Sequence, residues 1–188
     1  MTSRSAILAL ALTLVISLPA RAVDPLALHL GVARSALPKA LIEGDRGLVP
    51  LGGGRALARG LELDGVYERQ RGILRFDQEN RLESIDVQII PDEESDGREV
   101  LRLYAEIRSR LLRRLGSPSW EQAEGDPHRP DLLAALSNGE VTRYLEWDGT
   151  KSIRMGIPLR ADGAVLIELE ISARPSPREQ LAWGSDGL

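Results

Sequence analysis

The sequence predicts an α+β fold in which two helix-plus-three-stranded antiparallel meander halves form a two-layer sandwich. Three observations carry this. Gly97 to Leu115 has a clear helical repeat of apolar residues. Six other stretches are apolar runs or alternate apolar with polar residues, as half-buried strands do. The order helix, variable loop, three strands then occurs twice, over about 26–90 and again over 97–172.

The first 22 residues, MTSRSAILALALTLVISLPARA, read as a cleaved export signal. Arg4 supplies the positive start, and Ala6 to Leu18 form an uncharged apolar run. Pro19 ends any helix, and Ala20 and Ala22 place small residues at the cleavage site. A bilayer-spanning helix needs roughly twenty apolar residues, so the run is too short for an anchor. No cysteine is present to carry a lipid. The expected product is therefore periplasmic or secreted, with no membrane span and no lipid anchor after cleavage.

Removing the signal removes Arg4 and Arg21 and no acid, leaving 22 basic against 28 acidic residues, a net charge of −6. That balance argues against a nucleic-acid partner. An exported chain without cysteine has no disulfide framework and must rely on burial for stability. Residues 23–172 are expected to form one domain and 173–188, rich in proline, serine and glycine, a disordered tail.

Along that domain, Leu26, Leu28 and Leu30 alternate like a short strand, and Ser35 can cap a helix running from Ala36 to about Glu43. Gly47 to Gly54 reads as a glycine-rich loop. Leu57 to Arg69, Gly72 to Asp77 and Leu82 to Ile90 read as strands, with Gln78-Glu79-Asn80 turning the last pair. Asp96 and Glu99 form a capping box for the long helix, whose stripe is Val100, Leu103, Tyr104, Ile107, Leu111 and Leu115. Gly116 and Pro118 end it. Trp120 to about Asn138 reads as a loop with one or two helical turns at Asp131 to Leu136. Val141 to Asp148, Ser152 to Leu159 and Val165 to Ile171 complete the strands, with turns at Asp148-Gly149 and Asp162-Gly163.

This order of elements resembles the tandem helix-plus-sheet repeats of β-lactamase-inhibitor-like proteins and the SmpA/OmlA (BamE-like) domains of bacterial outer-membrane assembly. The stretch ILRFDQENRLESIDV with the helix YAEIRSRLLRRLGSPSW also resembles other exported bacterial α+β proteins. The resemblance lies in layout, over roughly residues 26–172, and implies a binding module. The chain departs from the assembly lipoproteins in lacking the lipidated cysteine.

Candidates for chemistry are few. Asp92 to Gly97 has oxygens spaced as in a calcium loop, but the twelfth position is Leu103 rather than a bidentate glutamate, and a helix-capping turn explains the residues better. His29 and His128 have no ligand-spaced companions, so neither a zinc site nor a catalytic histidine is expected. Gly52-Gly53-Gly54-Arg55 lacks the lysine and serine of a phosphate loop. Arg108 and Arg114 fall beside the apolar stripe of the long helix. Their stems either lie on the core edge with the heads reaching out, or hold a cation at the helix–sheet boundary for a partner's carboxylate. Tyr144 and Trp147 lie on opposite faces of one strand, so one of them is a candidate binding contact, with an edge position or loop cover as the alternative.

The function this suggests is an exported binding or accessory protein that acts through a protein-interaction surface, with another periplasmic protein as partner. No catalytic residue, metal ligand or cofactor is expected. A carrier of a small apolar ligand and an enzyme of unrecognised type are the alternatives.

Overall fold

The computed structural model describes residues 22–42, 47–66, 68–92 and 94–173. The segment expected to be an export signal, up to Arg21, and the expected tail from Arg174 lie outside them. Eight strands are described: β1 (Leu48–Gly52), β2 (Arg55–Ala58), β3 (Arg69–Phe76), β4 (Leu82–Ile90), β5 (Trp120–Glu124), β6 (Thr142–Trp147), β7 (Ser152–Gly156) and β8 (Ile167–Ser172). They form one antiparallel sheet in the order β1-β2-β3-β4-β8-β7-β6-β5. The helices are α1 (Lys39–Ile42), α2 (Gly97–Leu115) and α3 (Leu132–Ser137), with 3-10 turns at Pro25–Ala27 and Arg34–Ala36.

The path through the sheet is simple. A four-stranded meander runs from the β1 edge inward to β4. Helix α2 then carries the chain to the opposite edge at β5. A second four-stranded meander returns to β8, which pairs with β4. The seam between β4 and β8 joins Ile85 to Ile171, Val87 to Leu169 and Ile89 to Ile167.

This overturns the expected α+β sandwich of two helix-plus-three-stranded halves. The molecule is mostly one eight-stranded sheet, and each arm has four strands. Among the described residues the first arm has no helix to match α2: of the helix expected from Ala36 to Glu43, the described part is the single turn Lys39–Ile42, with Glu43 outside the described residues. Leu26 to Leu30 is not a strand either. Pro25 opens a 3-10 turn that Asp24 caps by accepting from the Leu26 amide at 3.0 Å.

Two strands were hidden for opposite reasons. β1 contains Pro50, which has no N–H to donate and is tolerated only at a sheet edge or a bulge, where it lies. Its glycines are not a loose connector. Gly53 and Gly54 both have positive φ, +57° and +74°, as a two-residue hairpin turn into β2 requires. β5 lacks an apolar alternation because it is the other, largely exposed edge. The stretch expected as one strand from Leu57 to Arg69 is only β2 at its start. Beyond Ala58 the chain turns, and the Gln70 side chain ties it down, accepting from the Leu63 amide at 2.7 Å and donating to the Val66 carbonyl at 2.9 Å.

One face of the sheet packs against α2. Ile85, Val87, Ile89, Leu145, Ile153, Met155 and Leu169 share a single core with Val100, Leu103, Ile107 and Leu111 of the helix. The helix keeps the expected capping box: Asp96 Oδ1 accepts from the Glu99 amide at 2.9 Å, and Glu99 Oε2 accepts from the Asp96 amide at 3.3 Å. Its far end is fixed by Trp147, whose indole N–H donates to the Gly116 carbonyl at 2.9 Å. Among the described residues no helix is long and apolar enough to cross a membrane.

Candidate functional site: the open face of the sheet

Side chains alternate along a strand, so every core residue of the sheet has neighbours that point away from α2. Those neighbours make a second face with two distinct zones. On the first arm, Arg69, Arg71, Ile73 and Arg75 of β3 lie on it, as do Arg55 and Leu57 of β2 and Val49 of β1. Val49 faces Leu57 and Leu57 faces Ile73, giving an apolar row with arginines on both sides. Val49 is 37% exposed, and all four arginines are exposed. No side-chain hydrogen bond or ion pair among the described residues engages Arg69 or Arg71. Elsewhere, Arg81, Arg108, Arg110, Arg114, Arg129, Arg154 and Arg160 each have a carboxylate partner.

The apolar row runs straight into the second zone. Ile73 faces Asp86, Asp86 faces Glu170, Glu170 faces Arg154, and Arg154 faces Glu146. Arg154 shares itself between two acids, at 3.4 Å from Glu170 and 3.7 Å from Glu146. Glu146 is buried and also accepts from the Ser152 hydroxyl at 3.3 Å. Burial pushes the Glu146 carboxyl up, Asp148 adds to the shift, and Arg154 opposes it. Asp86 is pushed up to about 7, first by burial, then by Glu168 and Glu170, against the pull of Arg75 and Arg55. Glu168 is also pushed up by burial, while the Gln88 amide that bonds it at 3.4 Å acts in the other direction. Despite these acids, no group of three or more metal-ligating side chains among the described residues is arranged to hold a metal ion.

Tyr144 and Trp147 do fall on opposite faces of β6, but each is only 6% exposed. Trp147 points into the core, where it secures the end of α2. Tyr144 lies on the open-face side and covers Gly156, its partner on β7. A Cβ at Gly156 would come within 2.3 Å of the Tyr144 ring. Neither ring offers an exposed contact as the chain stands.

The other candidates are placed as follows. Arg108 meets Glu121 of β5 at 3.0 Å and Arg114 meets Asp24 at 2.7 Å, so the carboxylates at the helix–sheet boundary are the chain's own. His29 and His128 are both exposed and belong to no metal-ligating group among the described residues. Asp96 is occupied as a helix cap, and Glu93 lies outside the described residues. A shallow cleft of about 420 Å³ opens near the N-terminus of α2, lined by Pro91, Asp92, Val100, Leu133, Ser137 and Val165 among others.

The arginine zone had a signal in the sequence. Arg69-x-Arg71-x-Ile73-x-Arg75 is a period-2 pattern, but apolar periodicity, which marks a core face, does not register a charged face. No family model, curated protein or solved structure matches the chain.

Proposed function

We propose that the chain is an exported periplasmic binding or accessory protein whose interaction surface is the β1–β3 arm of the open face. The supporting observation is the row Val49, Leu57 and Ile73 bordered by Arg55, Arg69, Arg71 and Arg75. No ion pair among the described residues engages Arg69 or Arg71, so their guanidinium groups face solvent. Guanidinium groups suit carboxylates in a planar, bidentate geometry, and the apolar row supplies area to desolvate. The partner is therefore another periplasmic protein that presents carboxylates around an apolar contact. The outward arginines of α2, Arg98, Arg102 and Arg113, border no comparable row and serve as controls.

The test places a photo-crosslinking residue at Leu57, Arg71 or Arg102 in cells exporting the full chain. One partner captured from positions 57 and 71 but not 102, and lost with Arg71→Glu/Arg75→Glu, is the expected result. Equal capture from all three positions, or capture unaffected by the charge reversal, would overturn the assignment. Export itself is checked by the mass of the mature protein, which should begin at Val23.

The cleft near α2 favours a second reading, a carrier of a small apolar ligand, because its volume of about 420 Å³ lies in the range of small-ligand sites. Native mass spectrometry of the purified protein should then show a bound apolar molecule that Leu133→Glu displaces.

A further inference from the structure

Asp86 occupies a position that the fold makes awkward. It stands directly opposite Glu170 in the register of β4 and β8, the one pairing that joins the two arms. Like charges facing each other across strands repel. Glu168 lies diagonally beside it, two residues from Glu170 on the same strand face. Cations do approach from the other strands, but none is committed to Asp86. Arg154 of β7 is divided between Glu170 and Glu146, while Arg75 of β3 and Arg55 of β2 act on Asp86 only through space. No hydrogen bond to the Asp86 carboxylate occurs among the described residues. A half-buried acid in this setting is better neutral than charged.

We propose that Asp86, Glu170 and Glu168 form a proton-operated switch at the β4–β8 seam, in which uptake of one proton relieves repulsion across the seam and strengthens the positive field of the adjoining arginine face. The first effect stands on the strand register alone. The second rests on the reading of that face as the binding surface, since Asp86 is the cross-strand neighbour of Ile73. With the Asp86 carboxyl at about 7 in place of the ordinary 3.8, the switch operates close to neutrality. The folded chain binds the proton more readily than the unfolded chain, so stability rises as pH falls from about 8 toward 5 and is lost again on the way up. Asp86 and Glu168, both pushed up by burial, compete for that proton opposite and beside Glu170.

Three measurements on the mature protein test this. Carboxyl-carbon NMR should give Asp86 a midpoint near neutrality, which Glu170→Gln lowers by removing one neighbouring charge. The urea midpoint should rise by about 0.5 M between pH 8 and pH 6, and Asp86→Asn should abolish most of that rise. Binding of a poly-glutamate peptide should tighten about twofold over the same interval, the order expected for one charge about 8 Å away in a water-like dielectric. In Asp86→Asn it should be flat. An Asp86 midpoint below 5, or a stability profile unchanged in Asp86→Asn, would overturn the switch. If the NMR and urea results hold but Arg71→Glu/Arg75→Glu leaves peptide binding unaltered, the arginine face is not the binding surface. The field effect then falls with it, and the seam switch stands alone.

Discussion

Replacing Arg154 with methionine removes the one cation that, among the described residues, bridges Glu146 and Glu170 on the open face. Methionine keeps an apolar stem of similar reach, so the change isolates the charge. Glu170 is 32% exposed and loses little, under about 1 kcal/mol, because water screens it. Glu146 is only 5% exposed and keeps the Ser152 hydroxyl as donor with the Asp148 carboxyl beside it, so the burden falls there. A stranded buried carboxylate can always escape by taking a proton. At pH 7, from an ordinary value of 4.5, that escape costs about 3.4 kcal/mol, which sets a ceiling. The 3.7 Å separation from Arg154 is long for an ion pair, and burial and Asp148 already push the carboxyl up in the parent, so the expected loss is about 1–2 kcal/mol. At pH 5 the same escape costs about 0.7 kcal/mol, so the loss should shrink to about 1 kcal/mol or less. Urea unfolding of the variant and the parent protein at both pH values reads this directly. A loss below about 0.5 kcal/mol at pH 7, or an equal loss at both pH values, would refute the claim that Glu146 is a buried charge held by Arg154. Adding Glu146→Gln to the variant should recover most of the stability at pH 7.

Other perturbations probe the supports of the two faces. Gly156→Ala should destabilise by about 1–3 kcal/mol, since the new Cβ would meet the Tyr144 ring at 2.3 Å; the double change with Tyr144→Val should recover part of this in thermal melts. Gly97→Ala should act similarly at the approach of α2 to α3, where the Cβ would meet Leu132 Cγ and the Leu133 amide at 2.7 Å. Trp147→Phe keeps an aromatic side chain but loses the N–H donated to Gly116 and part of the buried indole, and should lower stability by about 1–2 kcal/mol and loosen amide exchange in the last turn of α2.

The parts of the fold that could be read from the sequence are those with local causes. The capping box, the stripe from Val100 to Leu111 and the glycine after Leu115 define α2 without any reference to the rest of the chain. β4 and β8 announce themselves by Ile85, Val87, Ile89 and by Ile167, Leu169, Ile171. What periodicity does not contain is the pairing of those two strands with each other, because they are far apart in sequence and joined through α2 and the second meander. That single non-local choice separates one eight-stranded sheet from two smaller layers. The edge strands were lost because exposure removes the apolar alternation, and in β1 Pro50 argues actively against a strand. The open face shows the same limit. Asp86 and Glu170 are unremarkable acids in the sequence and become a facing pair only once the register is known. Strand parity separates Tyr144 from Trp147, but parity says nothing about the cover each finds, and both are nearly fully buried.

The absence of cysteine gives a direct measurement of the joined sheet on which both zones of the open face depend. Ser84 and Ser172 are register partners across the seam, and facing residues of an antiparallel pair lie about 4.5–5.5 Å apart at Cα, within reach of a disulfide. Ser152 is one strand further on, roughly 9.6 Å from Ser84 and out of reach. Mild oxidation of the folded Ser84→Cys/Ser172→Cys protein should give an intramolecular disulfide in high yield, while Ser84→Cys/Ser152→Cys remains reduced. Two reduced proteins, or equal crosslinking in both, would contradict the β4–β8 seam and with it the continuous face.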